Sequence, residues 1–228
     1  MVKAVIFDFN GTLFWDTDFH SKAFDVFIDR YRNGSPSGLK SRLLTETDKR
    51  DHVMGQPNDR IMEYIFGRAL TANQIAELGE EKEVIYRGLC RGKVEFAPGA
   101  EKLFAALRKA DIPFTVASSA DKGNIDFYYE QLNMAEWFPQ DGIVFNDSTF
   151  KGKPAPDIFL RAAEKLKVRP EETAIFEDST SGILAAANAH ASEVIVVNST
   201  RSDAITAKYE GTYPVITDFR EALPILGL

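Results

Sequence analysis

Four short stretches of the sequence carry residue types that could move a phosphoryl group, and three of them stand at the edge of an apolar run. Asp8 follows the run AVIF and opens DFNGTL (residues 8–13). A carboxylate there has two readings, a cap for the following turn or a nucleophile. Gly11 lets the backbone turn sharply, and Thr12 can bond back to that turn. Such a loop presents backbone N–H groups to an anion. Glu177 and Asp178 close the run TAIFE in FEDSTSG. Helix capping by Asp178 or Ser179, with Thr180 in the first turn, accounts for part of this stretch but not for paired acids ending an apolar run. A carboxylate brought near Asp8 would be repelled unless a cation sits between, and hard oxygen ligands of this kind suit Mg²⁺. Lys153, held between Gly152 and Pro154 just before a helical pattern, could offset clustered carboxylates or hold a phosphate oxygen; Lys151 reads as surface. Ser118 and Ser119 close the run PFTVASS, where hydroxyls either cap a helix or bond a phosphoryl oxygen. Nucleophile, cation site, ammonium and hydroxyl together suit phosphoryl transfer through an aspartyl-phosphate.

The elements that must position these residues form an alternation. Apolar, β-branched runs at residues 2–7, 113–119, 142–145, 173–177 and 193–197 alternate with helical patterns at 100–110, 123–132, 157–166 and 182–189. Runs apolar throughout suit strands buried on both faces, and their alternation with helices predicts a parallel sheet covered on both sides. Ligands bind such sheets outside the carboxyl ends of the strands, where Asp8, Ser118 and Glu177-Asp178 fall. Residues 16–93 break the rhythm. Phe19, Ala23, Phe24, Phe27, Ile28 and Tyr31 make one helical face, and TANQ (71–74) has capping-box spacing ahead of Ile75 and Leu78. The sequence predicts an α/β core over 1–15 and 94–228, with a helical insert over 16–93 and a return at Pro98-Gly99.

A chain of 228 residues suits one large domain or a core with a smaller insert. Its net charge of −7, with no dense basic run, argues against a nucleic-acid partner. No apolar run approaches the ~20 residues of a membrane span. The short apolar run before DFNG does not have a signal-peptide layout, so the expectation is a cytoplasmic protein, with a monomer as the default state. The single cysteine, Cys90, excludes an internal disulfide framework and reads as a buried thiol.

DFNGTL (8–13), VASS (116–119), KPAPDIF (153–159) and EDSTSGILAA (177–186), taken in order, resemble the haloacid dehalogenase-like superfamily, in its β-phosphoglucomutase-like phosphatase branch. The resemblance covers nearly the whole chain. It implies a three-layer, Rossmann-like parallel sheet core with an inserted all-helical cap that shapes specificity. It implies Asp8 as nucleophile, Ser118 and Lys153 holding the transferring phosphoryl group, and Gly11, Thr12 and Ser119 around the substrate. Asp8, Asp178 and the backbone carbonyl of Asn10 would hold Mg²⁺, with Glu177 contributing. On the cap, His20 and the segment 55–60, starting at Gly55, are where such caps face the site. The substrate would be a small phosphorylated metabolite.

Asn10 departs from that family pattern, which has a second Asp there as general acid–base. An amide does not titrate near neutrality, and general acid–base help is worth about 10²–10⁴ in rate. Metal binding through the backbone carbonyl survives the change. Asn10 therefore marks a natural variant that takes good leaving groups or uses another acid such as His20, a binder that does not turn its ligand over, or a deliberate Asp-to-Asn change. The leading expectation is a Mg²⁺-dependent phosphomonoester hydrolase. A sugar-phosphate mutase is the alternative, disfavoured by Asn10 and by Met54 and Asn58 around the Gly55 loop, and a catalytically silent binding protein is the third.

Overall fold

The computed structural model describes residues 2–35, 38–53 and 58–228. Chain contacts divide the protein into two compact units, Met1–Trp15 with Val94–Leu228, and Asp16–Lys93.

The first unit is an α/β sandwich. Its strands are β1 (Ala4–Phe7), β2 (Phe114–Ser118), β3 (Val144–Phe145), β4 (Thr173–Glu177), β5 (Glu193–Val197) and β6 (Val215–Ile216). All pair in parallel, in the order β3-β2-β1-β4-β5-β6. That is the doubly wound order in which the chain reverses direction across the sheet between β1 and β4. β1 and β4 are in register, Ile6 beside Ile175 and Phe7 beside Phe176, so their carboxyl ends lie side by side. Alternation then sends the two pairs to opposite faces. Ile6 and Ile175 pack with Ile158, Phe159, Ala162, Ile183 and Ala186 from the helices of one face. On the other, Phe7 stacks on Phe176 at 4.9 Å and meets Phe104 edge-on at 5.4 Å. Each such ring contributes about 2–3 kcal/mol by leaving water.

The helices of the insert are α1 (Thr17–Tyr31), α2 (Glu46–His52), α3 (Asn58–Phe66) and α4 (Ala72–Cys90). Those of the core are α5 (Ala100–Lys109), α6 (Lys122–Leu132), α7 (Asp157–Lys165), α8 (Thr180–Asn188), α9 (Asp203–Tyr209) and α10 (Ala222–Leu226). α5 buries Ala100, Leu103, Phe104 and Leu107, the spacing of one helical stripe.

The predicted alternation and parallel sheet are present, with differences at the edges. The run at 142–145 yields only the two residues of β3, because Gln140–Gly142 winds as a short 3₁₀ turn. The sixth strand, β6, was not expected: two residues carry no periodicity.

Among the described residues, the regular structure of Asp16–Lys93 is helical. Thr71 and Gln74 form the expected reciprocal cap at the start of α4. Ala23, Phe24, Phe27 and Ile28 of α1 are buried with Leu78, Ile85 and Tyr86 of α4. Cys90 is buried, and desolvation pushes its thiol up to about 12. Among the described residues no helix is long and apolar enough to cross a membrane.

Candidate active site

The loop after β1 is wound tightly. The Phe9 carbonyl accepts from the backbone N–H groups of Thr12, Leu13 and Phe14, and Gly11 N–H donates to the Phe14 carbonyl at 2.7 Å. Gly11 has φ +79°, and a Cβ built there would overlap the Asp178 carboxylate. Glycine is thus required twice over, by the left-handed backbone and by the approach of Asp178. The Thr12 hydroxyl, expected to bond back to its own turn, instead donates across to Asp178 Oδ1 at 3.1 Å.

Asp8 is buried, and Lys153 donates to its Oδ1 at 2.5 Å and also to Glu177 Oε1. The lysine side chain is only 7% exposed. Burial alone would lower its pKa, but the charges of Asp8 and Glu177 outweigh that and hold the ammonium above its ordinary value. Glu177 is fixed at its other oxygen too, where Ser179 donates its backbone N–H at 2.7 Å and its hydroxyl at 3.1 Å. Ser179 is the N-cap of α8, accepting from Gly182 N–H at 3.0 Å. A Cβ at Gly182 would overlap the Glu177 carboxylate, so the first turn of α8 is cut away to admit it. The capping reading of this stretch holds for Ser179, while Asp178 faces the loop after β1.

Asp8, Glu177 and Asp178 each offer a carboxylate oxygen, all within 4.8 Å of one another. One ammonium among three carboxylates leaves an excess of negative charge. The electrostatic result is visible at Asp178, whose carboxyl is driven well above the usual range by burial first, then by Glu177 and Asp8. A divalent cation would relieve that repulsion, and the all-oxygen donor set suits a hard ion. The residues present therefore fit a metal such as Mg²⁺.

Ser118 ends β2 with its hydroxyl 3.4 Å from Asn10 Oδ1 and accepts from Ala120 N–H at 3.1 Å. Ser119 beside it is exposed. Asn10 Nδ2 donates to the Tyr128 hydroxyl at 2.6 Å. Tyr128 was not singled out from the sequence; its only signal there is an aromatic with a polar tip on the apolar stripe of a helical pattern. Asp8, Asn10, Gly11, Thr12, Ser118, Lys153, Glu177 and Asp178 thus share one strand-end cluster.

His20 belongs to a network inside the helical unit. Lys82 Nζ lies 3.1 Å from its Nδ1, Asp16 Oδ2 lies 3.3 Å from its Nε2, and its ring stacks on Tyr86 at 4.0 Å. Gly55 and Met54 lie outside the described residues; Asn58 opens α3.

Loss of the ammonium would leave Asp8 and Glu177 buried and uncompensated. Lys153→Ala is expected to destabilise the metal-free protein by about 3 kcal/mol, read as a lower urea midpoint, and Lys153→Arg by less. An unchanged midpoint would mean that the pair is not held by this lysine.

A family model for haloacid dehalogenase-like hydrolase matches residues 2–190. The chain is 30% identical over 192 residues to a phosphorylated carbohydrates phosphatase of Thermotoga maritima, covering 82% of each. It is 27% identical over 240 residues to a β-phosphoglucomutase of Mycobacterium bovis, covering 97% of this chain and 92% of that one. A crystal structure of a HAD hydrolase, family IA, variant 3, from Entamoeba histolytica superposes with a TM-score of 0.87 at 37% identity, over 96% of this chain and 95% of that one. The chain belongs to the haloacid dehalogenase-like hydrolase family, as its four motifs led one to expect. Within that family it falls in the phosphoglucomutase-like branch.

Proposed function

We propose that this chain is a Mg²⁺-dependent hydrolase of a small phosphorylated metabolite, acting through an aspartyl-phosphate on Asp8 and slowed by Asn10. The observation that carries this reading is the contact of Asp8 with Lys153 at a strand end that also holds Glu177 and Asp178. Asp8 supplies the attacking oxygen. The Lys153 ammonium and the Ser118 hydroxyl orient the phosphoryl oxygens, with Gly11, Thr12 and Ser119 lining the same edge. Asp8, Asp178, Glu177 and the Asn10 carbonyl are the residues that would hold the metal. When bound, Mg²⁺ supplies the positive charge that lets an anionic phosphate approach an anionic carboxylate.

In the first half-reaction an Asp8 oxygen bonds to phosphorus and the bond to the leaving oxygen breaks. In the second, water attacks phosphorus and the Asp8–phosphorus bond breaks, releasing phosphate. The first half needs a proton on a poor leaving group and the second needs a base for water. Asn10 can serve neither need, so good leaving groups are favoured and the phosphoenzyme is long-lived. The likeness to a β-phosphoglucomutase gives one second reading, transfer of the phosphoryl group to another hydroxyl of a sugar phosphate.

The test is phosphate release from a panel of phosphorylated metabolites with Mg²⁺, repeated in EDTA. Release that EDTA abolishes agrees with the proposal; release indifferent to EDTA contradicts it. Interconversion of glucose 1- and 6-phosphates would favour the mutase.

The raised Asp178 carboxyl sets a pH dependence. Its folded pKa lies above the unfolded value, so its contribution to stability is full below the unfolded pKa and is lost as pH rises through the folded one. Asp178 would give up that proton in order to hold a metal, whose charge would relieve the repulsion among the three carboxylates. The stabilisation by Mg²⁺, measured as the difference in Tm with and without it, is expected to grow as pH rises from the ordinary carboxylate range through the raised pKa of Asp178. A constant difference would contradict this assignment of Asp178.

A further inference from the structure

The amide of Asn10 is tied at both ends. Its nitrogen donates to the Tyr128 hydroxyl at 2.6 Å, and its oxygen is 3.4 Å from the Ser118 hydroxyl. Tyr128 is fully buried and has little room to move. Its ring stacks on Phe9 at 4.4 Å with an interplanar angle of 27°, and meets Phe14 and Phe127 edge-on at 6.2 Å and 5.8 Å. Phe9 and Phe14 are the residues that close the loop carrying Asn10, through the hydrogen bonds to the Phe9 carbonyl. One side chain from α6 thus packs on the rings of two residues that close the loop after β1 and bonds the side chain at its centre.

We propose that Tyr128 is the positioning residue for Asn10. Its phenol oxygen holds the amide against the wall of the site, so that the side chain beside the nucleophile is kept out of the leaving group's reach. The inference rests on the proposed phosphohydrolase reading for its consequence, but not for the tie itself. A carboxylate introduced at this position would inherit the tie, because the Tyr128 hydroxyl can turn and donate to it. The acid alone then recovers only part of the acid–base help at position 10; the full gain takes two changes, the acid and the release of its tether. Asn10 is on this view one half of a pair, matched by a tyrosine far away in sequence.

Two measurements test this. The first needs no activity: solvent exchange of the Asn10 side-chain amide by NMR, its resonance assigned by its loss in Asn10→Ala. The native amide is expected to exchange at least about tenfold more slowly than in Tyr128→Phe, which keeps the ring and its stack on Phe9 but deletes the hydroxyl. Equal exchange in the two proteins overturns the proposal whether or not the chain is a phosphatase. Should Tyr128→Phe not fold, the Cζ resonance of Tyr128 serves instead: it shifts on Asn10→Ala if the tie exists, and stays if it does not. The second measurement compares Asn10→Asp with Asn10→Asp/Tyr128→Phe in kcat/KM on an alkyl phosphate. The double variant is expected to exceed the single by on the order of tenfold, the worth of one hydrogen bond to a charged group. A double variant no faster than the single overturns the tether as a determinant of reactivity. Absence of turnover in every variant would count against the phosphohydrolase reading and leave the exchange result to decide the tie.

Discussion

Asp8→Asn is expected to leave the protein folded and to remove turnover, with kcat falling at least about a thousandfold, or about 4 kcal/mol of transition-state stabilisation. The substitution keeps the volume of the side chain and changes only its chemistry. An amide cannot form the acyl-phosphate bond. Lys153 keeps Glu177 as a partner, so the ammonium is not stranded and the fold should hold. The readouts are phosphate release and the urea midpoint, taken together on one preparation. Undiminished turnover in a folded variant would exclude Asp8 as the nucleophile. A silent binding protein, by contrast, shows no turnover in either form and differs only in ligand affinity.

Asn10→Asp is the second large effect, and its sign is opposite. An acid at position 10 can protonate the leaving oxygen and then accept a proton from water, help worth about 10²–10⁴ in rate. The two half-reactions separate in the kinetics. kcat/KM reports the first, so it is expected to rise about a hundredfold for alkyl phosphates and to change little for aryl or acyl phosphates, whose leaving groups need no proton. kcat is expected to rise for every substrate, because release of the phosphoenzyme then has its base. The tie to Tyr128 sets the gain toward the lower end of that range. An equal rise in kcat/KM for all leaving groups would place the effect elsewhere than in proton transfer.

Much of this arrangement was legible in the sequence for a definite reason. Strands buried on both faces are written as unbroken apolar runs, so the ends of β1, β2 and β4 could be found, and with them Asp8, Ser118 and Glu177. Topology then did the rest, since β1 and β4 are neighbours where the chain reverses across the sheet. β6 was not legible, because two residues have no period. The side-chain partners were less legible still. No spacing rule says that Thr12 reaches Asp178, that Ser179 rather than Asp178 caps α8, or that Glu177 sits over Gly182. Tyr128 is the clearest such case. It is one of several aromatics in FYY (127–129), and only the packing of α6 selects it as the partner of Asn10.

The central claim is covalent transfer to Asp8, and Asn10 makes it directly observable. A chain that attacks but cannot activate water should accumulate its phosphoenzyme. Intact-protein mass spectrometry after mixing with an aryl or acyl phosphate and Mg²⁺, quenched in acid, is expected to show the gain of one phosphoryl group, mapped by digestion to the peptide containing Asp8. The same adduct should be absent in Asp8→Asn and should drain faster in Asn10→Asp. Phosphate release with no adduct in the native protein, or adduct or turnover surviving Asp8→Asn, would contradict the account.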